Sequence, residues 1–299
     1  MEMKTVSLPS YWGILCVLYY APNREIRART VLSKLLARFQ MEGLPIDWKF
    51  QKQQLGSFTP RFYDHERYLL ENDLIGREDI SMPRMIQSSY TLTEKGEKLF
   101  EEKILPFLKS NKFFDEKCIV ALAEKYSKKT ATQAKNDEHK LLMLDDCDRA
   151  ELKKRCKETF NNLTKLYSIY SEQPPDDYKT YELAGMIQYT YCILNVIITD
   201  YLNDEQDNKL ILNNLEYMGY YYEIYLAQKF LEHADKITLK FKKNGKISDE
   251  CFDKIKMKYE TIRDIAIHYL IVPSLDSEKF DFKIFFPEGD QKLLQNILA

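Results

Sequence analysis

Residues 59–96 read TPRFYDHERYLLENDLIGREDISMPRMIQSSYTLTEKG. Thr59-Pro60 is a helix start, because a threonine hydroxyl caps free amides and proline suits the first helical position. Phe62, Leu69, Leu70 and Leu74 then recur at helical spacing, and Ile75-Gly76 closes a helix expected over 60–75. Two short extended pieces follow, around Arg77–Ile80 and Gln87–Leu92, with Met82-Pro83 between them. That pattern is a β-hairpin. Thr93-Glu94-Lys95-Gly96 opens a further helix, expected to run to about Leu105, where Pro106 follows.

Upstream, residues 10–21 (SYWGILCVLYYA) form an apolar helix stopped by Pro22. Residues 27–41 (RARTVLSKLLARFQM) place Val31, Leu32, Leu35 and Leu36 on one helical face and basic residues on the other, with Gly43 and Pro45 as the stop. Ile46-Asp47-Trp48-Lys49-Phe50 alternates as a short strand would. Helix, helix, helix, hairpin, helix is the winged-helix arrangement, expected over residues 1–111.

The runs RTVLSKLLARF, LPIDWKFQKQQLGSFTPRFYDHERYLLENDLI and YTLTEKG resemble the YwgA-type winged-helix family of prokaryotes over residues 10–100. The chain departs from that family's pattern at Ser57, where Pro is common, and at Asn72-Asp73, where Gly is common. The resemblance implies the fold and carries no ligand with it.

Residues 112–148 are polar and mixed, and are expected to be a partly helical linker. Four long helices follow, at about 149–171, 178–203, 207–235 and 248–270, broken by Pro174-Pro175, by Asn203-Asp204-Glu205 and by KFKKNGKISDE. Apolar residues recur at i, i+3 and i+4 in each, so residues 149–299 are expected to hold a four-helix bundle. Residues 271–299 continue with Pro273, an extended DFKIFF and a terminal helix near 289–298. The fold class expected is therefore mostly α: an N-terminal winged helix, then a C-terminal four-helix bundle.

With 44% apolar and 30% charged residues, the 299-residue chain can bury a core, and 9 Gly and 10 Pro leave long uninterrupted elements. A net charge of −2 supplies no global field toward nucleic acid or membrane. Two stretches depart from that average, each with eight basic residues against three acidic: Arg24–Arg61 and Lys236–Lys258. Both also read as solvated surfaces. The six cysteines form no CxxC pair and only four histidines accompany them, which argues against zinc, and no cofactor is expected. Asp145-Asp146-Cys147-Asp148 looks like a metal cluster but reads as helix N-terminal acids. His65 is expected on the surface, and His139 has nothing to activate it. The apolar helix around Met186–Ile198 is too short and mixed to span a bilayer. Without a basic, then apolar, leader, the expected setting is the cytoplasm, with reduced cysteines and no membrane partner. There is no glycine-rich phosphate loop and no nucleophile elbow.

One constellation carries chemistry. The last bundle helix reads KYETIRDIAIHYL, with Tyr259, Ile262, Ala266 and Tyr269 as its core stripe. Arg263, Asp264 and His268 lie off that stripe. This resembles the HEPN superfamily, whose ribonucleases carry Arg and His four to six residues apart on the last major helix of a four-helix bundle, often with a polar residue after the Arg. The resemblance implies RNA cleavage without metal, in a homodimer whose two Arg–His pairs line one groove, as in toxin or phage-defence systems. It implies that Arg263 stabilises charge on the scissile phosphate and that His268 transfers protons, with Asp264 one turn before the ring it could orient. The lysines Lys240, Lys242, Lys243 and Lys246 would then hold the RNA backbone. The same residues also read as surface ion pairs, Glu260 with Arg263 and Asp264 with His268.

Two other functions compete. A DNA-binding regulator would dimerise through the helical domain and present the third helix, with Arg61 and Arg67. Asp64, Glu66, Glu71 and Asp73 share that helix, so Arg27, Arg29, Lys34 and Arg38 on the second helix are the better-charged DNA face. A protein-interaction module would use the tyrosine-rich run at Tyr217–Tyr222 to bind a protein partner.

Overall fold

A computed structural model of the chain describes residues 8–53, 56–82, 85–110, 114–144, 149–171, 178–198, 218–244 and 246–269. The chain is mostly helical, with a small three-stranded antiparallel sheet set among the N-terminal helices. It divides into two compact units, Met1–Leu141 and Leu142–Ala299. Among the described residues no helix is long and apolar enough to cross a membrane.

The N-terminal unit begins with α1 (Trp12–Tyr20), in which all residues but Tyr19 are buried. A 3-10 turn at Pro22–Arg24 leads to β1 (Glu25–Arg27) and α2 (Arg29–Met41). Every residue of α2 from Val31 to Met41 is buried, so Lys34 and Arg38 of the basic face expected here are enclosed by neighbours, while Arg27 is exposed and Arg29 half-buried. Leu44, Ile46, Trp48 and Phe50 are buried in an extended segment. The strand itself starts later, at β2 (Gln51–Gln53), which pairs antiparallel with β3 (Gly56–Phe58).

Next come α3 (Arg61–Glu71) and the hairpin β4 (Ile75–Met82) and β5 (Met85–Leu92). The hairpin register runs from Ile75 opposite Leu92 to Met82 opposite Met85. β1 joins the other edge of β5, with Ile26 opposite Tyr90, giving the order β1-β5-β4. Pro60 occupies the cap position of α3, and no side chain caps this helix, contrary to the cap expected from Thr59. The helix stops at Glu71 because Asp73 turns left-handed, with φ 55°. Short Asp and Asn side chains tolerate that region.

Thr93 caps α4 (Glu94–Leu99), accepting a hydrogen bond from the Gly96 amide at 3.0 Å. The helical path does not end before Pro106. It widens into a π turn at Phe100–Ile104 and continues as α5 (Leu105–Ser110). Such a turn relaxes the ladder where proline supplies no N–H.

The stretch expected to be a linker folds as α6 (Glu116–Ser127) and α7 (Ala131–Leu142), and α6 packs on α1 and α2. Asp115 caps α6 by accepting from the Cys118 amide at 3.1 Å. Thr130 and Gln133 cap α7 reciprocally. Burial in this stretch falls on Ile119, Ala123, Tyr126, Ala134, Leu142 and Leu144, and on the carboxylate Glu138. Only a few buried positions, spread among polar residues, hold these two helices in place, so a sparse apolar pattern hid them.

The C-terminal unit consists of α8 (Arg149–Ser171), α9 (Tyr178–Ile197), α10 (Gly219–Asn244) and α11 (Asp249–His268). Helix α8 packs on α9, α10 packs on α8, α9 and α11, and α11 packs on α9. α8 has the expected bounds. α10 runs on through Lys240, Lys242 and Lys243, well beyond the expected end at 235, because Ile237 and Thr238 are buried. The Thr238 hydroxyl also meets the Tyr170 hydroxyl at 2.7 Å. Of the core stripe expected on α11, Ile262 and Ala266 are buried, as is Tyr269 just past its end, while Tyr259 is half-buried; Phe252, Ile255 and Ile265 are buried with them. The acidic run 145–148, the breaks at 174–175 and 203–205, and everything expected of 271–299 lie outside the described residues.

Candidate functional site

Arg263 stands on the exposed side of α11, its side chain 38% exposed. Its guanidinium donates from Nε (3.2 Å) and Nη2 (3.0 Å) to Oδ1 of Asp264, and the Asp264 side chain is 67% exposed. Asp264 thus holds Arg263, where the sequence pointed to His268. Glu260 does not take the arginine: its buried Oε2 has no hydrogen-bond partner. His268 is half-buried in the last turn of the helix, its ring edge-on to Tyr269 at 5.0 Å. Tyr269 in turn meets Tyr222 edge-on at 5.9 Å. Five residues along an α-helix amount to roughly 7.5 Å of rise and 140° of rotation. Arg263 and His268 therefore leave α11 in divergent directions.

Behind Arg263 is a set of buried polar groups that sequence reasoning missed. Glu223 on α10 is 0% exposed, and neither carboxyl oxygen has a hydrogen-bond partner among the described residues. Burial pushes this carboxyl well above the usual carboxylate range, which favours its neutral form. The amide of Gln188 and the hydroxyl of Tyr189, both on α9, are also buried without a hydrogen-bond partner among the described residues. Tyr189 packs edge-on against Tyr259 at 5.5 Å. Its hydroxyl is pushed up by burial first, then by Tyr259 and Glu223, while Arg263 opposes them. Tyr189, Glu223, Tyr259 and Arg263, from three helices, therefore share one electrostatic environment. The signal was present in the sequence: Glu223 is a lone acid inside GYYYEIYLA.

The other expected site residues separate into distinct surroundings. In the N-terminal unit Lys34 is 2% exposed at its side chain and ion-paired with Glu138 of α7 at 2.9 Å. Lys34 Nζ also donates to the Ser57 carbonyl at 2.6 Å. Glu138 accepts from the Ser57 amide at 2.9 Å and from the Ser57 hydroxyl. Burial lowers the Lys34 pKa, Glu138 opposes that, and nearby Lys135 adds to it. A proline at 57 would have no N–H for Glu138.

Arg38 is largely enclosed and pairs with Glu42 at 3.1 Å. Arg29 meets Glu66 at 3.2 Å and donates to the Tyr90 hydroxyl at 3.0 Å. Glu66 also pairs with Arg77 and accepts from the Tyr90 hydroxyl at 2.6 Å. Lys34 and Arg38 are therefore not available to a phosphate backbone. Arg27, Arg61 and Arg67 are exposed, the first two near Glu25 and Asp47 respectively. His65 is not a free surface residue: its ring stacks on Trp48 at 5.1 Å.

In the C-terminal unit Lys240, Lys242 and Lys246 are exposed. Lys240 Nζ lies 3.5 Å from Cys251 Sγ. Lys243 belongs to α10, and its side chain lies outside what is described. Among the described residues no group of three or more His, Cys, Asp or Glu could hold a metal.

No protein-family model matches the chain, and neither a curated protein nor a solved structure is significantly similar to it.

Proposed function

We propose that the chain is a metal-independent endoribonuclease of the HEPN type, acting as a homodimer, whose N-terminal unit is a regulatory winged helix. The observation that carries this reading is the Arg263–Asp264 pair on the exposed side of α11, with His268 in the last turn of the same helix. Without a metal, the nucleophile for RNA cleavage is the ribose 2′-hydroxyl. His268 takes the 2′-hydroxyl proton as that oxygen bonds to phosphorus, the P–O5′ bond breaks to leave a 2′,3′-cyclic phosphate, and the imidazolium returns the proton to the departing 5′-oxygen, as its titration near neutral pH allows. The Arg263 fork, held by Asp264, binds two oxygens of the developing phosphorane. Because the two side chains diverge on one helix, a second copy completes the groove with its own pair. The exposed Lys240, Lys242 and Lys246 track the RNA backbone.

The DNA-reader alternative is disfavoured by the enclosure of Lys34 and Arg38. The test is cleavage of a labelled single-stranded RNA in excess EDTA by wild type, Arg263→Ala and His268→Ala. The expected loss in each variant is on the order of a hundredfold or more. Variants that cut as fast as wild type would overturn the reading.

A further inference from the structure

The N-terminal unit contains a cavity of about 430 Å³ that the ribonuclease reading does not use. It is lined by the first turns of α2 and α7, by β3 and by part of β5. Three cationic residues line it, Arg29, Lys34 and Lys135, and no aspartate or glutamate does; Lys34 is spent on Glu138 and the Ser57 carbonyl, which leaves Arg29 and Lys135 as its accessible charges. The carboxylates that pair with Arg29 and Lys34, which are Glu66 and Glu138, lie behind the wall. Lys135 forms no ion pair among the described residues, and it is near enough to Lys34 to lower that lysine's pKa.

The rest of the lining is rich in hydroxyls, with Thr30, Ser33 and Thr132 close to the two helix starts. α2 is 13 residues long and has no side-chain cap. Its N-cap position is Ala28 at φ 79°, a conformation that L side chains rarely adopt. The free amides of its first turn therefore supply partial positive charge to the same space, and the start of α7 adds its own dipole. On one side the wall is aromatic: Tyr63 is 47% exposed, and the Arg29 guanidinium sits 4.9 Å from its ring centroid. Cations, hydroxyls and helix amides gather on an anion, while an aromatic face gathers a flat ring.

We infer that this cavity binds a small phosphate-bearing ligand of mononucleotide size, with the phosphoryl group between Arg29, Lys135 and the first turn of α2 and a flat ring against Tyr63. The cavity volume falls in the range of small-ligand sites. Such a site gives the N-terminal unit a small-molecule input, and it stands whether or not the helical unit cuts RNA.

The experiment is titration calorimetry of the full chain with AMP, GMP, CMP and UMP, with adenosine as the uncharged control and a 5′-phosphorylated decanucleotide as a separate arm. At least one monophosphate is expected to bind with Kd below about 1 mM, and its affinity should fall roughly tenfold or more when the phosphate is missing or in Lys135→Gln. Lys135→Gln leaves the buried Lys34–Glu138 pair intact, and Arg29→Lys is the second variant, keeping the charge while losing the guanidinium, with a weaker monophosphate affinity expected. No binding by any of the four monophosphates would overturn the inference. So would equal affinity in Lys135→Gln, or binding of the oligonucleotide alone.

Discussion

Replacing Glu138 by Gln perturbs the most enclosed ion pair of the N-terminal unit. Both side chains of the Lys34–Glu138 pair are 2% exposed, and the carboxylate also receives the amide and hydroxyl of Ser57. Removing one member of a buried pair costs about 3–5 kcal/mol, because the other charge stays buried without compensation. Glutamine has the same shape, and its carbonyl still accepts from the Ser57 amide, so a loss of about 3 kcal/mol is expected.

Lys34 can escape by deprotonating. Its pKa is already lowered by burial and falls further without Glu138. Between that lowered value and the unfolded lysine value of about 10.4, the unfolded state binds the extra proton, so stability rises with pH. The deficit of the variant therefore shrinks as the pH approaches 10. The assay is urea unfolding followed by tryptophan fluorescence at pH 7 and pH 9.5. Both tryptophans of the chain, Trp12 and Trp48, are buried in this unit, so the signal reports on it alone. A loss below about 1 kcal/mol at pH 7, or a deficit independent of pH, would refute the reasoning. Either result would also undercut α7 as a structural part of this unit.

Two further outcomes are expected. Glu223 has a folded pKa above its unfolded value, so its contribution is complete below about pH 4.3 and is lost as pH rises, by about 1.4 kcal/mol per pH unit until the folded value is passed. Glu223→Gln removes that slope: by circular dichroism it should match wild type near pH 4 and exceed it at pH 8, and a variant less stable at pH 8 would count against a neutral, unpartnered carboxyl. Ala28→Gly relieves the positive φ at the start of α2 and should gain about 1 kcal/mol, or about 2–4 °C in Tm; an unchanged or lower Tm would mean that Ala28 carries no strain.

Much of the N-terminal fold was legible because its punctuation is local. The hairpin strands meet at Met82 opposite Met85, where a turn was expected, and Thr93 caps a helix start as expected; both signals act within a few residues of themselves. The helices of 112–148 were not legible, since their packing rests on a few scattered apolar residues and on Glu138 reaching Ser57, 81 positions earlier. The same long-range pairing overturned the basic face of α2, because helical spacing separates Lys34 from the leucines but does not reveal that α7 covers it. In the helical unit the spacing of Arg263, Asp264 and His268 was plain. The partner of Asp264 and the buried Glu223 were not, because neighbouring helices fix the surroundings of a side chain. The aromatic stack that encloses His65 was hidden for the same reason.

The measurement closest to the central claim is the chemistry of the RNA ends that the purified full chain leaves. Wild type incubated with single-stranded RNA in excess EDTA should cut it, leave 2′,3′-cyclic phosphate ends, and leave the matching DNA intact. Absence of cutting, cutting that EDTA abolishes, or equal cutting of DNA would contradict a metal-independent site built on Arg263 and His268.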